Sequence, residues 1–199
     1  MRLVTSHLIA FCRKSVFVLV LLATIVYAAT PSVSDDFTDR RITAGAKIFR
    51  ALLAADVDID RKTGTRGELR LCLLYIDDTG NAELAAATLA NRDDPRIRKM
   101  KVSIHRLSFP ECIADDQGRF AGIFLTQKLN AEQLQALLAF ASARHLVVFS
   151  PFEGDVERGV QSGIAVEARV RPYVNTSALR TSQVRLKSFF MKVAKAYEE

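Results

Sequence analysis

Three aspartates open the search for chemistry. Asp56, Asp58 and Asp60 in "DVDID" stand at the spacing of the first three oxygen donors of a calcium loop, which also needs glycine at its sixth position and an acidic clamp at its twelfth. Those positions hold Arg61 and Gly67, so the triplet reads as a solvated turn. In "GVQSG", Ser162 is one residue out of step with a nucleophile elbow and precedes a strand instead of a helix. His105, within a predicted strand, and His145, at the start of another, read as hydrogen-bonded structural residues instead of general bases. Two histidines and a cysteine pair assemble no zinc-ligand spacing. The first β-α turn, "DDTGN", carries an acidic pair that would repel a pyrophosphate. No catalytic residue, metal site or cofactor site is expected, and the chain reads as a non-enzyme.

The cysteines are informative in a different way. Arg2, Arg13 and Lys14 precede the uncharged run "SVFVLVLLATIVYA", which is short for a membrane span and ends in small residues. Residues 1–28 therefore read as an export signal cleaved near Ala28, with an uncleaved anchor as the alternative. Cys12 leaves with the signal. Cys72 and Cys112 remain, in a compartment where two thiols can stay oxidised, and both lie in or beside predicted neighbouring strands. A disulfide is the expectation, with two unconnected buried thiols as the alternative. Without the three basic residues of the signal, 25 basic side chains face 22 acidic ones, a net charge of +3. That field is too weak to draw the protein onto nucleic acid by bulk electrostatics.

Elements that would position these residues follow from periodicity. "TDRRITAGAKIFRALLAA" sets Ile42, Ala46, Phe49, Leu52 and Leu53 on one helical stripe. "LRLCLLYI" is a strand buried on both faces, "GNAELAAATLAN" a small-residue helix and "KVSIHRL" a second strand. The pattern recurs as the strand "AGIFLTQ", a helix from Asn130 with Gln133 completing a capping box and Leu134, Leu137, Leu138 and Ala141 inward, then the strand "HLVVFSPF". Two β-α-β units imply right-handed crossovers and a parallel sheet covered on both faces. Ligands of such sheets bind at the carboxyl ends of the strands, here near Asp77, Asp78, Thr126 and Ser150. "GIAVEA" and "RVRPYVN" predict an antiparallel hairpin whose Pro172 favours an edge, a single bent strand being the alternative.

Beyond the hairpin, Leu186, Phe189, Phe190, Val193, Ala194 and Tyr197 recur at helical spacing, with Arg185, Lys187, Lys192 and Lys195 on the other side. This predicts a three-turn amphipathic helix that docks on the sheet; a membrane-surface helix is the other use of the pattern. The predicted class is a single Rossmann-like three-layer α/β domain over residues 38–199. Its sheet is mostly parallel, with a C-terminal antiparallel hairpin and a terminal amphipathic helix.

The stretch from "AGIFLTQKLNAEQLQALLAFASARHLVVFSPFEGDVERGVQSG" to the C-terminus resembles the YfiR family: strand, Leu/Ala-rich helix, strand ending in a turn, Gly-containing hairpin, then an Asn, here Asn175, that precedes the terminal helix. "LRLCLLYIDDTGNAELAAATL" stands for the family's first strand and helix. The resemblance implies an exported periplasmic α/β protein, often a homodimer, that holds down an inner-membrane diguanylate cyclase by binding its periplasmic region. It also implies a disulfide at Cys72 and Cys112, and contact with the membrane only through the partner. A second, short-range disulfide found in some relatives has no cysteines here. A small-ligand or sensor accessory protein using the strand-end cleft is the alternative function.

Overall fold

Helix α1, Val33–Ala55, forms where apolar residues recur every three to four positions, and Ile42, Ala46, Phe49, Leu52 and Leu53 are all fully buried along it. The computed structural model describes residues 33–64, 66–90, 95–115 and 119–198, with the side chains of residues 33–35 left out. The export-signal reading of residues 1–28 lies outside the described residues. Thr38–Glu199 is one compact unit.

The sheet is built from β1 (Leu69–Tyr75), β2 (Arg96–Ile97), β3 (Met100–Ser108), β4 (Phe120–Leu125), β5 (Val147–Ser150), β6 (Ser162–Val166), β7 (Val170–Asn175) and β8 (Lys195–Tyr197). Their spatial order is β2-β3-β1-β4-β5-β6-β7-β8. The run from β3 to β6 is parallel, whereas β2 pairs β3 and β7 pairs β6 antiparallel. The expected hairpin is present, with Ile164 opposite Pro172. The chain steps from β1 to β3 on one side and then to β4 on the other, so the order reverses between β1 and β4. That is the switch point of a doubly wound fold.

Pleating explains why β1, Arg70 apart, is apolar on both faces. Leu71 and Leu73 join the core under α1 and α2 (Gly80–Leu89), while Cys72 and Leu74 join the core on the other face, under α3 (Phe109–Ala114) and α4 (Ala131–Ala143). Phe124 and Phe149 stack with centroids 5.4 Å apart, and Phe49 of α1 leans on both at 5.6 and 5.7 Å. Burying each ring contributes roughly 2–3 kcal/mol. Gly122 makes room for this contact: a Cβ there would lie 2.9 Å from Leu53 Cδ2 and 3.0 Å from Phe49 Cζ.

The C-terminal expectation is corrected. In place of a three-turn helix there is α6, Ser188–Val193, followed by β8, which extends the sheet beside β7. Phe190 is buried, but Phe189 and Val193 are 57% and 58% exposed. The cause lies outside the segment. The N–H of Lys187 donates to the carbonyl of Ala55, and Leu186 bridges Asp56, so the backbone enters extended; β7 then captures Lys195–Tyr197. Only six residues remain to coil. Two further short helices are α3 and α5 (Thr176–Thr181), and Ile59–Arg61 forms one 3-10 turn.

Candidate functional site

The switch point is closed by the protein's own groups. Gln127, just past β4, accepts at Oε1 from the backbone N–H of Ile76 (2.6 Å), Asp77 (3.2 Å) and Asp78 (3.3 Å), and donates from Nε2 to Asp77 Oδ1 at 2.6 Å. Thr126 is buried with its hydroxyl donating to Leu74 O at 2.8 Å, and Asp78 Oδ1 takes the N–H of Gly80 at 2.9 Å. Ser150 is buried and donates to Asp155 Oδ2 at 2.7 Å. Gln127 thus occupies the row of backbone donors that a ligand would use at a strand end. Of the four residues expected near a strand-end cleft, Thr126 and Ser150 are buried, whereas Asp77 and Asp78 are exposed.

Asp155 and Asn175 instead organise the connection from β5 to β6. Asp155 Oδ1 faces Arg158 at 3.0 Å. Asn175 Oδ1 caps α5 by accepting the Ala178 N–H at 2.8 Å, and its Nδ2 donates to Val156 O at 2.9 Å. Ser162 is buried in β6 and donates to Tyr173 O at 3.0 Å, with no base beside it.

Cys72 and Cys112 are brought together. Cys72 is in β1 on the α3 face, Cys112 is in α3, and both are buried in one cluster. They are separate thiols in hydrogen-bonding contact, so the expected disulfide is not formed in this structure. Burial first, and then the hydrogen bond and charge of Cys112, push the Cys72 thiol well above its ordinary pKa. Close by, Arg70 and Asp115 form an ion pair at 2.8 Å with only 8% of either side chain exposed, and the guanidinium lies 4.7 Å over the Phe120 ring. His105 Nε2 faces Ser103 Oγ at 3.0 Å and Arg70 Nε at 3.4 Å. Burial and then the Arg70 cation hold its pKa below the ordinary histidine value.

The three aspartates of "DVDID" each meet a cation. Buried Asp56 takes Lys62 Nζ at 2.5 Å, Asp58 takes Arg185 through two bonds of 2.8 and 3.0 Å, and Asp60 faces Arg98 at 3.2 Å. They diverge instead of converging. Beside them a cavity of about 350 Å³ opens at the amino ends of the parallel strands, lined by Asp58, Arg61, Lys62, Arg119, His145 and Arg185 among others. Sequence reasoning missed it because its residues come from four connections far apart in the chain. It lies at the sheet end opposite the expected cleft.

The outer margin of the sheet is a further feature. β3 pairs β1 from Val102 to Ser108, but its other side meets β2 only at Met100 and Lys101. Among the described residues, no strand covers that side from Val102 to Ser108. Exposed Lys101 and Arg106, of opposite parity, flank it on the two faces.

No family model and no curated protein matches this chain. Among solved structures, it is similar to the ABC domain in complex with L-Trp from Streptococcus pneumonia, with TM-score 0.48 and 9% identity over 74% of this chain and 60% of that one. It is likewise similar to a conserved domain protein from Vibrio cholerae O1 biovar El Tor, with TM-score 0.48 and 12% identity over 70% of this chain and 57% of that one. The chain thus spans 60% and 57% of the lengths of these two solved chains.

Proposed function

We propose that this chain is a periplasmic regulatory binding protein that inhibits or tunes an inner-membrane signalling enzyme, a diguanylate cyclase, by contact with that enzyme's periplasmic region. The ordered likeness to the YfiR family motivates the choice of partner. The observation that carries action by contact is the side of β3 that no strand covers among the described residues: between Val102 and Ser108 every second residue turns its backbone donor and acceptor away from β1, toward an incoming strand. Lys101 favours a partner segment rich in Asp and Glu, as does Arg106, whose charge Glu83 shares at 3.3 Å, and the two disfavour pairing of two copies through this edge, where like charges would approach. The polar side chains first considered for catalysis are engaged within the fold, as the Ser162 and His105 bonds illustrate.

The test is crosslinking in membranes of the native host. Wild-type protein captures the cyclase, and a Lys101→Glu/Arg106→Glu variant, altered only at exposed side chains, captures much less. Equal capture by both proteins, or no cyclase with either, would refute the reading. The alternative, a small-ligand or sensor accessory protein, is separated from this reading by thermal-shift screening of the purified protein with small metabolites, which a carrier must answer with a gain in stability.

A further inference from the structure

We infer that the cavity at the amino ends of β1, β4 and β5 is a binding site for a small phosphomonoester dianion. The inference is independent of the contact reading above. Its first support is charge. Arg61, Lys62, Arg119 and Arg185 line the cavity, against a single lining carboxylate, Asp58. Behind the wall, buried Asp56 neutralises Lys62 at 2.5 Å. Asp58 neutralises Arg185 through its paired bonds, and Arg61 stands 3.8 Å from that same carboxylate. Two carboxylates thus serve four cations, leaving two positive charges for a ligand to balance.

The second support is geometry. Arg119 holds its place by donating to the backbone carbonyl of Arg144 at 2.9 Å, and has no carboxylate partner among the described residues. A guanidinium fixed by a neutral carbonyl keeps its charge and its remaining donors for an anion, and its fork matches phosphate oxygens. Next along the chain from that carbonyl, His145 sits on a left-handed backbone (φ 55°) with Nδ1 3.2 Å from Ser182 O, which fixes the ring in the wall. A volume of about 350 Å³ holds a phosphate and a small organic group attached to it. Such a dianion would bring together the α1–β1 connection, the residue before β4, the turn before β5 and the segment leading to α6.

The inference is tested by thermal melting and isothermal titration of the purified protein at constant ionic strength. The probes are inorganic phosphate, glycerol phosphate and phosphatidate vesicles, with chloride as the reference. The expected result is saturable binding of at least one phosphate probe that weakens about tenfold in Arg119→Gln, the loss of one hydrogen bond to a charged group, and is unchanged in Lys128→Gln at the other end of the sheet. Binding of soluble phosphates identifies a free metabolite. Binding only of vesicles, lost in Arg119→Gln, identifies a lipid headgroup in the same site. No binding beyond chloride, or binding that Arg119→Gln leaves intact, would overturn the inference. Because Arg119 is exposed and, among the described residues, bonded only to a backbone carbonyl, the variant is expected to melt within a few degrees of wild type.

Discussion

Asn175 donates from its side-chain nitrogen to the carbonyl of Val156 at 2.9 Å while its oxygen caps α5 at Ala178. One amide therefore ties the β5–β6 connection to the start of a helix from the end of β7. Replacing Asn175 by Ala removes the cap and leaves Val156 without this donor, at a cost of roughly 2–3 kcal/mol. Asn175→Asp keeps the cap acceptor but turns an acceptor toward the Val156 carbonyl, so it recovers little. Denaturant midpoints of the two variants check this; an Asp variant as stable as wild type would show that the Val156 bond contributes nothing.

Gly163 faces a different constraint. A Cβ there would lie 2.6 Å from Ser150 O, a backbone atom that cannot swing aside. Gly163→Ala is expected to destabilise by roughly 2 kcal/mol or more. At Gly154, which has φ 85° and nothing within 4 Å of a Cβ, alanine meets only backbone strain of about 1 kcal/mol. Chemical denaturation of both variants should rank them in that order.

His105 gives the fold an acid sensitivity. Its pKa is lowered by burial and by Arg70, so the folded state favours the neutral ring, whose Nε2 faces the Ser103 hydroxyl and the Arg70 N–H. A depressed histidine contributes stability that is complete above its unfolded value near 6.5 and is lost as pH falls through the folded value. Melting temperature should therefore drop more steeply below about pH 6.5 in wild type than in His105→Gln. Parallel pH profiles for the two proteins would contradict this.

The thiol pair predicts a redox effect. Cys72 is buried and its thiol resists ionisation, so in the reduced protein it should react slowly with alkylating agents until the fold is opened by denaturant. Mild oxidant should join Cys72 to Cys112 with loss of two hydrogens, stabilising the fold by roughly 4 kcal/mol on the chain-entropy account. Oxidant should leave Cys72→Ser and Cys112→Ser at their reduced melting temperatures. Intact protein mass and melting curves with and without reductant check it.

How far this was legible in the sequence depended on where the deciding contact lay. The stripe of α1 and the apolar run of β1 follow from local periodicity, as does the capping box of Asn130 and Gln133, where the Gln133 N–H reaches Asn130 Oδ1 at 2.8 Å. Helix α3 went unread although Ser108 and Glu111 have the same S-x-x-E spacing, with the Ser108 N–H and hydroxyl both donating to Glu111 Oε2. That signal was present and local. The tail was misread because Ala55 and β7, both distant in sequence, take up its backbone groups. Gln127 gave no sign that it would fill the switch point, since nothing in "LTQKLN" distinguishes a side chain that folds back onto β1. The basic cavity joins Asp58, Arg119 and Arg185, which share no motif.

We propose contact with a membrane cyclase through the side of β3 that no strand covers among the described residues. Cyclic di-GMP in the native host tests it most directly. Deletion should raise the level, wild-type protein should restore it, and the Lys101→Glu/Arg106→Glu variant, present at equal abundance, should not. A level unchanged by deletion, or restored equally by the variant, would contradict the account.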